Sequence, residues 1–362
     1  MQHLPRASEL NVLVTISWGA SVEKPRRTRV TIVDIARELD LSVASVSYAL
    51  NGKAGVSEAT RERVQETAHR LGWSASPAAK ALQSQRSNMI GMVMRREFPE
   101  QPMPGDFMVR FIDGLNEPLT DRPESLLWRT VRSAEAELGI YRTWAAQNRV
   151  DAVVLVNILA DVDPRIALLS ELGLPTVVVG DLRGRGGPPS VWTDDEEAMR
   201  ITIEHFVAKG HRRIARIREG GGMLHAAIRS TAFAATLAEM GLPPGVDLLV
   251  ASGSGASPTE LLRSLLAGPD APTAFQYDNA LQAAAAIRTV RSLGYRIPED
   301  IAILTWDNSG VCEVTDPPVT AIDRDSYTYG RTVGEEVLAL LATGVARDTR
   351  GTVSHLMERG ST

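Results

Sequence analysis

Residues 30–51, VTIVDIARELDLSVASVSYALN, carry the pattern that leaves this 362-residue chain the fewest folds: two short amphipathic helices joined by a tight turn. The hydroxyl of Thr31 is placed to cap free backbone N–H groups, and Ile32, Ile35, Ala36 and Leu39 recur at i, i+3, i+4 and i+7, giving the first helix one apolar face. After the Asp40-Leu41 turn, Ser42 is a second N-cap, and Val46 and Leu50 keep the spacing that packs the second helix onto the first. At about 100° per residue, Ala44 and Tyr48 lie nearly opposite Val46, with Ser45 and Ser47 on the flanks. An apolar inner stripe beneath short outer residues is what a helix entering a DNA major groove requires. The alternative is an ordinary helical hairpin in some other α-rich domain.

The next segments argue against that alternative. Ser57 caps a third helix with Val64, Ala68 and Leu71 on one face, and Gly72 stands where a helix C-terminus takes a left-handed residue. SPAAKAL, 76–82, follows with Ser76 as N-cap and Pro77 at the first helical position, too short to be stable unless docked. From Lys24 to Arg86 eleven Lys/Arg face six acids, so this segment carries +5 in a chain of net charge −5, which leaves −10 for the rest. A basic end binds phosphates, and an acidic body is repelled by them.

From about residue 88 the chain alternates two patterns. Apolar runs at 89–94, 126–131, 152–156, 176–179, 214–217, 248–250 and 301–304 are separated by amphipathic stretches at 133–147, 195–209, 228–241, 279–294 and 327–343. Short continuous apolar strands between helices predict parallel sheets covered on both faces. About 270 residues exceed one doubly wound unit, so two α/β subdomains are expected, with a ligand cleft at the strands' carboxyl ends.

The run VTIVDIARELDLSVASVSYALNG, the later VSEATRERVQETAHRLGW and SPAAKAL together resemble the N-terminal domain of the lactose-repressor family of bacterial transcription regulators. Downstream, Gly210-His211-Arg212-Arg213-Ile214-Ala215 resembles the family's GHRRIA, and Ile297-Pro298-Glu299-Asp300-Ile301 its VPEDV. Asp316-Pro317-Pro318-Val319-Thr320 resembles its PPLTT, and Arg359-Gly360-Ser361-Thr362 its R-x-S-T ending. The resemblance covers roughly residues 30 to 362. It implies an α/β fold class: a helix-turn-helix headpiece at 30–75, a hinge helix and linker at 76–87, and a two-subdomain periplasmic-binding-protein-like core at 88–362. Three crossings near 193, 307 and 322 would give an N-subdomain of about 88–193 plus 308–322 and a C-subdomain of about 194–307 plus 323–362.

On DNA, Val43, Ala44 and Tyr48 match the family positions that reach base edges. The small apolar pair offers van der Waals contact, for example to a thymine methyl, and Tyr48 a polar tip. Thr31, Ser42, Ser45, Ser47 and Asn51 are candidates for phosphate oxygens, which set register without reading sequence. Leu82, flanked by Ala79 and Lys80, matches the hinge leucine that wedges into the minor groove in relatives. Two hinges side by side imply a homodimer on a pseudo-palindromic operator. In the cleft, Arg229 and Asp278 match an arginine and an aspartate that bind a sugar or other small polar effector in relatives, the alternative being a structural ion pair. Phe107 matches an aromatic at the pocket mouth, Trp306 or Trp192 offers a stacking face unless it is plain core, and Asp181 is a further candidate. The chain departs from the family with Tyr277 where asparagine is usual, Thr305-Trp306-Asp307-Asn308 in place of G-F-D-D, and Gly180 one residue before Asp181.

Other chemistry finds little support. Gly220-Gly221-Gly222 lacks the spacing of a phosphate loop, the six histidines lack metal-ligand spacing, and the single Cys312 excludes an intrachain disulfide and a cysteine-based zinc site. No cofactor, metal or catalytic nucleophile is expected, and one thiol suits a reducing cytoplasm. Asn11–Ala20 is too broken for a membrane span or signal peptide, so 1–29 is expected to be a disordered arm or an over-long start. A solute-binding transport protein would share the two-lobed body but need an export signal and no headpiece. The expected function is repression controlled by an effector, with corepression using the same parts.

Overall fold

The computed structural model describes residues 30–73, 86–96, 105–219, 222–250 and 257–362. Its contacts divide the chain into two units, 1–79 and 80–362. The expectations for 1–29 and for the hinge, with Ala79, Lys80 and Leu82, fall outside the described residues.

In the first unit α1 (Ile32–Leu39), α2 (Val43–Leu50) and α3 (Glu58–Arg70) close over Ile35, Ala36, Val46, Ala49, Val64 and Ala68. Asp40 makes the α1–α2 turn in the left-handed region at φ 54°, and Gly72 ends the third helix at φ 67°. Ala49 is fully buried beside Val46, so the inner stripe of α2 is wider than the Val46-Leu50 spacing suggests.

The second unit runs β1 (Met89–Arg95), α4 (Asp106–Asn116), β2 (Ser125–Val131), α5 (Ala134–Ala146), β3 (Ala152–Leu155), α6 (Pro164–Glu171), β4 (Thr176–Val179) and β5 (Ser190–Thr193). It continues through α7 (Asp195–Ala208), β6 (Ile214–Glu219), α8 (Leu224–Glu239), β7 (Val246–Val250), α9 (Pro258–Leu266), β8 (Ala274–Tyr277), α10 (Ala280–Ser292) and β9 (Ala302–Thr305). The last elements are α11 (Gly310–Val314), β10 (Thr320–Asp323), α12 (Ser326–Thr343), β11 (Thr349–Thr352) and β12 (His355–Met357). Two six-stranded sheets result, ordered β11-β5-β4-β3-β1-β2 and β12-β10-β9-β8-β6-β7. Every pairing is parallel except β12 with β10. Helices cover both faces, which is why β3 and β9 are buried at every residue and read as unbroken apolar runs.

The subdomain boundaries differ from those expected. Residues 310–323 belong to the second sheet: β10 pairs with β9, and Cys312, Val319 and Ala321 share a core with Ile301 and Ile303. Helix α12 and β11 belong to the first, where Tyr329, Val333 and Val337 pack with Phe111 and Leu115 and β11 pairs with β5. The chain therefore passes between sheets after Thr193, Asp323 and Thr352, and not near 307. The reason is local: Ser309 opens a one-turn helix that folds back on α10, keeping the chain in the second lobe until β10 ends.

Candidate functional site

In the first unit the outer face of α2 is open. Val43 is 42% and Tyr48 44% exposed, and Ala44 is exposed beside them. Ser42 caps α2 by accepting the Ser45 N–H at 3.0 Å, and the two hydroxyls are 2.8 Å apart. Asn51 donates its amide to the Ser47 carbonyl at 2.8 Å and to the Ser47 hydroxyl at 3.3 Å, so the two residues fix each other at the helix end. Thr31 caps α1 as expected, in a capping box with Asp34. Its N–H (2.9 Å) and O–H (2.7 Å) both donate to Asp34, and these bonds hold the Asp34 carboxyl below the ordinary aspartate value. A fixed carboxylate there opposes a phosphate, so Thr31 serves the helix start better than the DNA backbone. Ser42→Ala should cost the headpiece about 1 kcal/mol, read as a lower melting temperature of that unit.

In the second unit a cavity of about 350 Å³ lies between the two sheets, within the range of small-molecule pockets. Phe107, Asp181, Arg229 and Asp278 line it, as do Asn157, Asp195, His225, Asp307 and Arg324. Asp278 follows β8, where Arg216 of the neighbouring β6 grips it through one nitrogen at 3.0 and 3.2 Å and Gln276 donates at 3.2 Å. Burial alone would raise its carboxyl, but Arg216, then Arg229, outweigh that and hold it below the ordinary value. Arg229 lies on α8 and contacts Asp195 at 3.2 Å. Both predicted residues thus make ion pairs, with Arg216 and Asp195 and not with each other, and both still face the cavity. Asp181 is gripped by Arg183 at 2.7 and 3.0 Å.

Neither tryptophan offers a stacking face. Trp306 is fully buried beneath Arg229, whose guanidinium carbon is 4.3 Å from the ring centroid, and belongs to the core under α7 and α8. Trp192 is covered by Arg183 at 3.4 Å. One face of Phe107 is likewise taken, with the Arg324 guanidinium 4.2 Å from its centroid.

The sequence reading missed Asp195, His225, Asp307 and Arg324. Three of these stand within two residues of a strand's carboxyl end, after β5, β9 and β10, as Asp181 and Asp278 do after β4 and β8. That position was the available signal. Burial pushes the Asp307 carboxyl up, against the pull of Arg324. Burial, then Arg229, lowers His225 to about 4, so it is neutral at pH 7 and offers a donor and an acceptor.

One rim of the cavity is bridged by backbone. Leu224 N–H donates to Ile158 O at 2.7 Å and Ala160 N–H to Gly222 O at 2.8 Å, joining the loop after β3 to the start of α8. That loop is anchored by buried Arg165, which donates to Asp163, Glu137 and the carbonyls of Val156 and Asn157. Among the described residues, no helix is long and apolar enough to cross a membrane.

Residues 31–76 match the family model described as bacterial regulatory proteins, lacI family, and residues 203–362 that of a periplasmic binding protein-like domain. The transcriptional regulator CelR of Thermobifida fusca is 30% identical over 350 residues, 93% of this chain and 99% of that protein. A LacI family regulator from Bifidobacterium animalis subsp. lactis is 30% identical with a TM-score of 0.69, over 76% of this chain and 98% of the other. A CelR–cellobiose complex is 26% identical with a TM-score of 0.67, over 92% of this chain and all of the other.

Proposed function

Because the chain belongs to the lacI family of bacterial regulatory proteins and is a DNA-binding transcriptional regulator, we propose that it is a cytoplasmic homodimeric repressor released from a pseudo-palindromic operator by a carbohydrate. The observation that carries the ligand half is the cavity at the strand ends, where Asp278 is held by Arg216 from outside it, Arg229 is held by Asp195 on its wall, and both line one small volume. The cellobiose bound by a relative supports the ligand class. No catalytic step is part of this reading, and the matched relatives are regulators.

The proposed mechanism is a population shift. A carbohydrate bridging Asp278 and Arg229 of one lobe to the first lobe's wall favours one angle between the lobes, and the paired N-terminal lobes transmit it to the hinges at 76–82. Only a ligand with different affinity for the two arrangements acts in this way. On the DNA side, Val43, Ala44 and Tyr48 read bases, Ser42, Ser45, Ser47 and Asn51 meet phosphates, and Leu82 wedges into the operator centre with Ala79 and Lys80 beside it.

A gel shift with genomic fragments, repeated across candidate sugars, tests the whole. A shifted fragment released by one carbohydrate is the expected result, a fragment bound more tightly with ligand would mean corepression, and no shift with any fragment overturns the reading. Leu82→Ala should weaken specific operator binding while salt-sensitive nonspecific binding persists; equal loss of both would remove the wedge role.

A further inference from the structure

Given a carbohydrate effector, a premise on which the sugar-acid inference depends, the charges around the cavity narrow the ligand to a subclass. Two of its carboxylates are already answered from outside: Asp278 by Arg216 and Asp181 by Arg183. Two guanidiniums face the same volume. Arg229 has one contact to Asp195, and its Nε is buried without a partner. Arg324 makes no ion pair and no side-chain hydrogen bond among the described residues; its guanidinium stacks on the Phe107 ring. Burial, then the neighbouring Arg229, push Arg324 below the ordinary arginine value against the pull of Asp195 and Asp307, so the two guanidiniums share a desolvated space in which the nearby carboxylates do not fully offset them.

Stacking on an aromatic ring uses the face of a guanidinium and leaves its in-plane N–H fork available. The natural complement of that fork is a planar oxyanion engaged bidentately, and an anion beside both arginines relieves a repulsion that a neutral hydroxyl leaves in place. Asp307 lines the same cavity and makes no ion pair with Arg324 among the described residues, and with Asp278 it supplies acceptors for hydroxyls.

We propose that the effector is a sugar acid, whose carboxylate seats between Arg324 and Arg229 while its hydroxyls meet Asp278 and Asp307. Calorimetric titration of the full chain with matched pairs, glucuronate against glucose and galacturonate against galactose, tests it, with cellobiose and glucose 6-phosphate alongside. The expected result is that one uronate binds at least about tenfold more tightly than its neutral counterpart and releases the operator. Arg324→Gln should bring that preference close to unity, the uronate losing at least about tenfold more affinity than its neutral counterpart, and Arg324→Lys, which keeps the charge and loses the fork, should retain part of it. Neutral sugars or cellobiose binding as tightly as the acids, with Arg324→Gln silent, overturn the sugar-acid inference and leave the carbohydrate reading standing. Glucose 6-phosphate exceeding glucuronate, and depending on Arg324, overturns the carboxylate in favour of a phosphate. Failure of every one of these sugars to bind or to release the operator overturns the carbohydrate reading and this inference with it.

Discussion

Arg216→Met should destabilise the effector-binding unit by about 3–5 kcal/mol and abolish its response to ligand, because it leaves the largely buried Asp278 carboxylate without the cation that grips it. Arg216 is fully buried on β6, one strand in from the edge of the second sheet, where it grips Asp278 at 3.0 Å, reaches Asp247 at 3.4 Å and donates to the Ser230 hydroxyl at 2.9 Å. Asp247 keeps Arg218 at 3.0 Å, so the loss falls mainly on Asp278. Urea unfolding at pH 7 measures the cost, and adding Asp278→Asn should recover part of it, since a neutral amide needs no counterion. The pH dependence has a definite sign. Asp278 is held below its ordinary value of 3.8 in the folded chain, so its contribution is fully present above that value and is lost as pH falls through the folded one. The variant should lack that component of the acid-side loss of stability. At a temperature where it is still folded it should bind operator and fail to let go when ligand is added. Unchanged urea stability, or normal release, would show that Asp278 does not depend on Arg216.

Most of this architecture is legible because strands buried on both faces leave continuous apolar runs, as at 152–155 and 302–305. Two of the four edge strands, β11 and β12, were not, nor were β5 and β10 inside the sheets. Thr349–Thr352 reads TRGT and His355–Met357 only HLM, both short and half exposed, with no pattern to separate them from loop. Periodicity also identified 327–343 as amphipathic without saying which sheet it covers, and that choice moved the subdomain boundaries. In the cavity, Arg229 and Asp278 were found through resemblance, whereas Arg324 follows from the rule of position at strand ends, and Asp307, which stands at an aspartate of the family's G-F-D-D, was passed over in the comparison. Trp306 drew attention as an aromatic beside the site, yet a ring that large on a buried strand end packs under its neighbours before it meets a ligand. Thr31 was right for a helix start; what went unread is Asp34, three residues on, whose carboxylate accepts the Thr31 N–H and hydroxyl and completes a capping box.

The membership of α12 in the first lobe rests on glycine, and the same substitution at two glycines should have opposite signs. A Cβ on Gly330 would overlap the carbonyl of Phe111 and one on Gly114 the carbonyl of Tyr327, while one on Gly334 would come within 2.7 Å of the Leu115 carbonyl. Helices α4 and α12 therefore touch backbone to backbone, and neither oxygen can rotate away as a side chain would. Gly330→Ala must push the helices apart, at or above the upper end of the roughly 1–3 kcal/mol typical of overpacking. Gly139, inside α5, meets nothing within 4 Å of its added Cβ, so Gly139→Ala should stabilise by about 0.5–1 kcal/mol through the unfolded chain's lost freedom. Thermal unfolding of the two variants gives the contrast directly. The functional consequence comes from the residues that the two helices carry. Phe107 and Phe111 on α4 and Tyr329 on α12 line the cavity, and Arg324, just ahead of α12, stacks on Phe107. Separating α4 from α12 opens that stack, so Gly330→Ala should weaken effector binding even where the fold survives, and Gly139→Ala should leave it unchanged. Equal melting temperatures for the two variants would mean that the close approach of α4 and α12 is not what holds α12 to the first sheet.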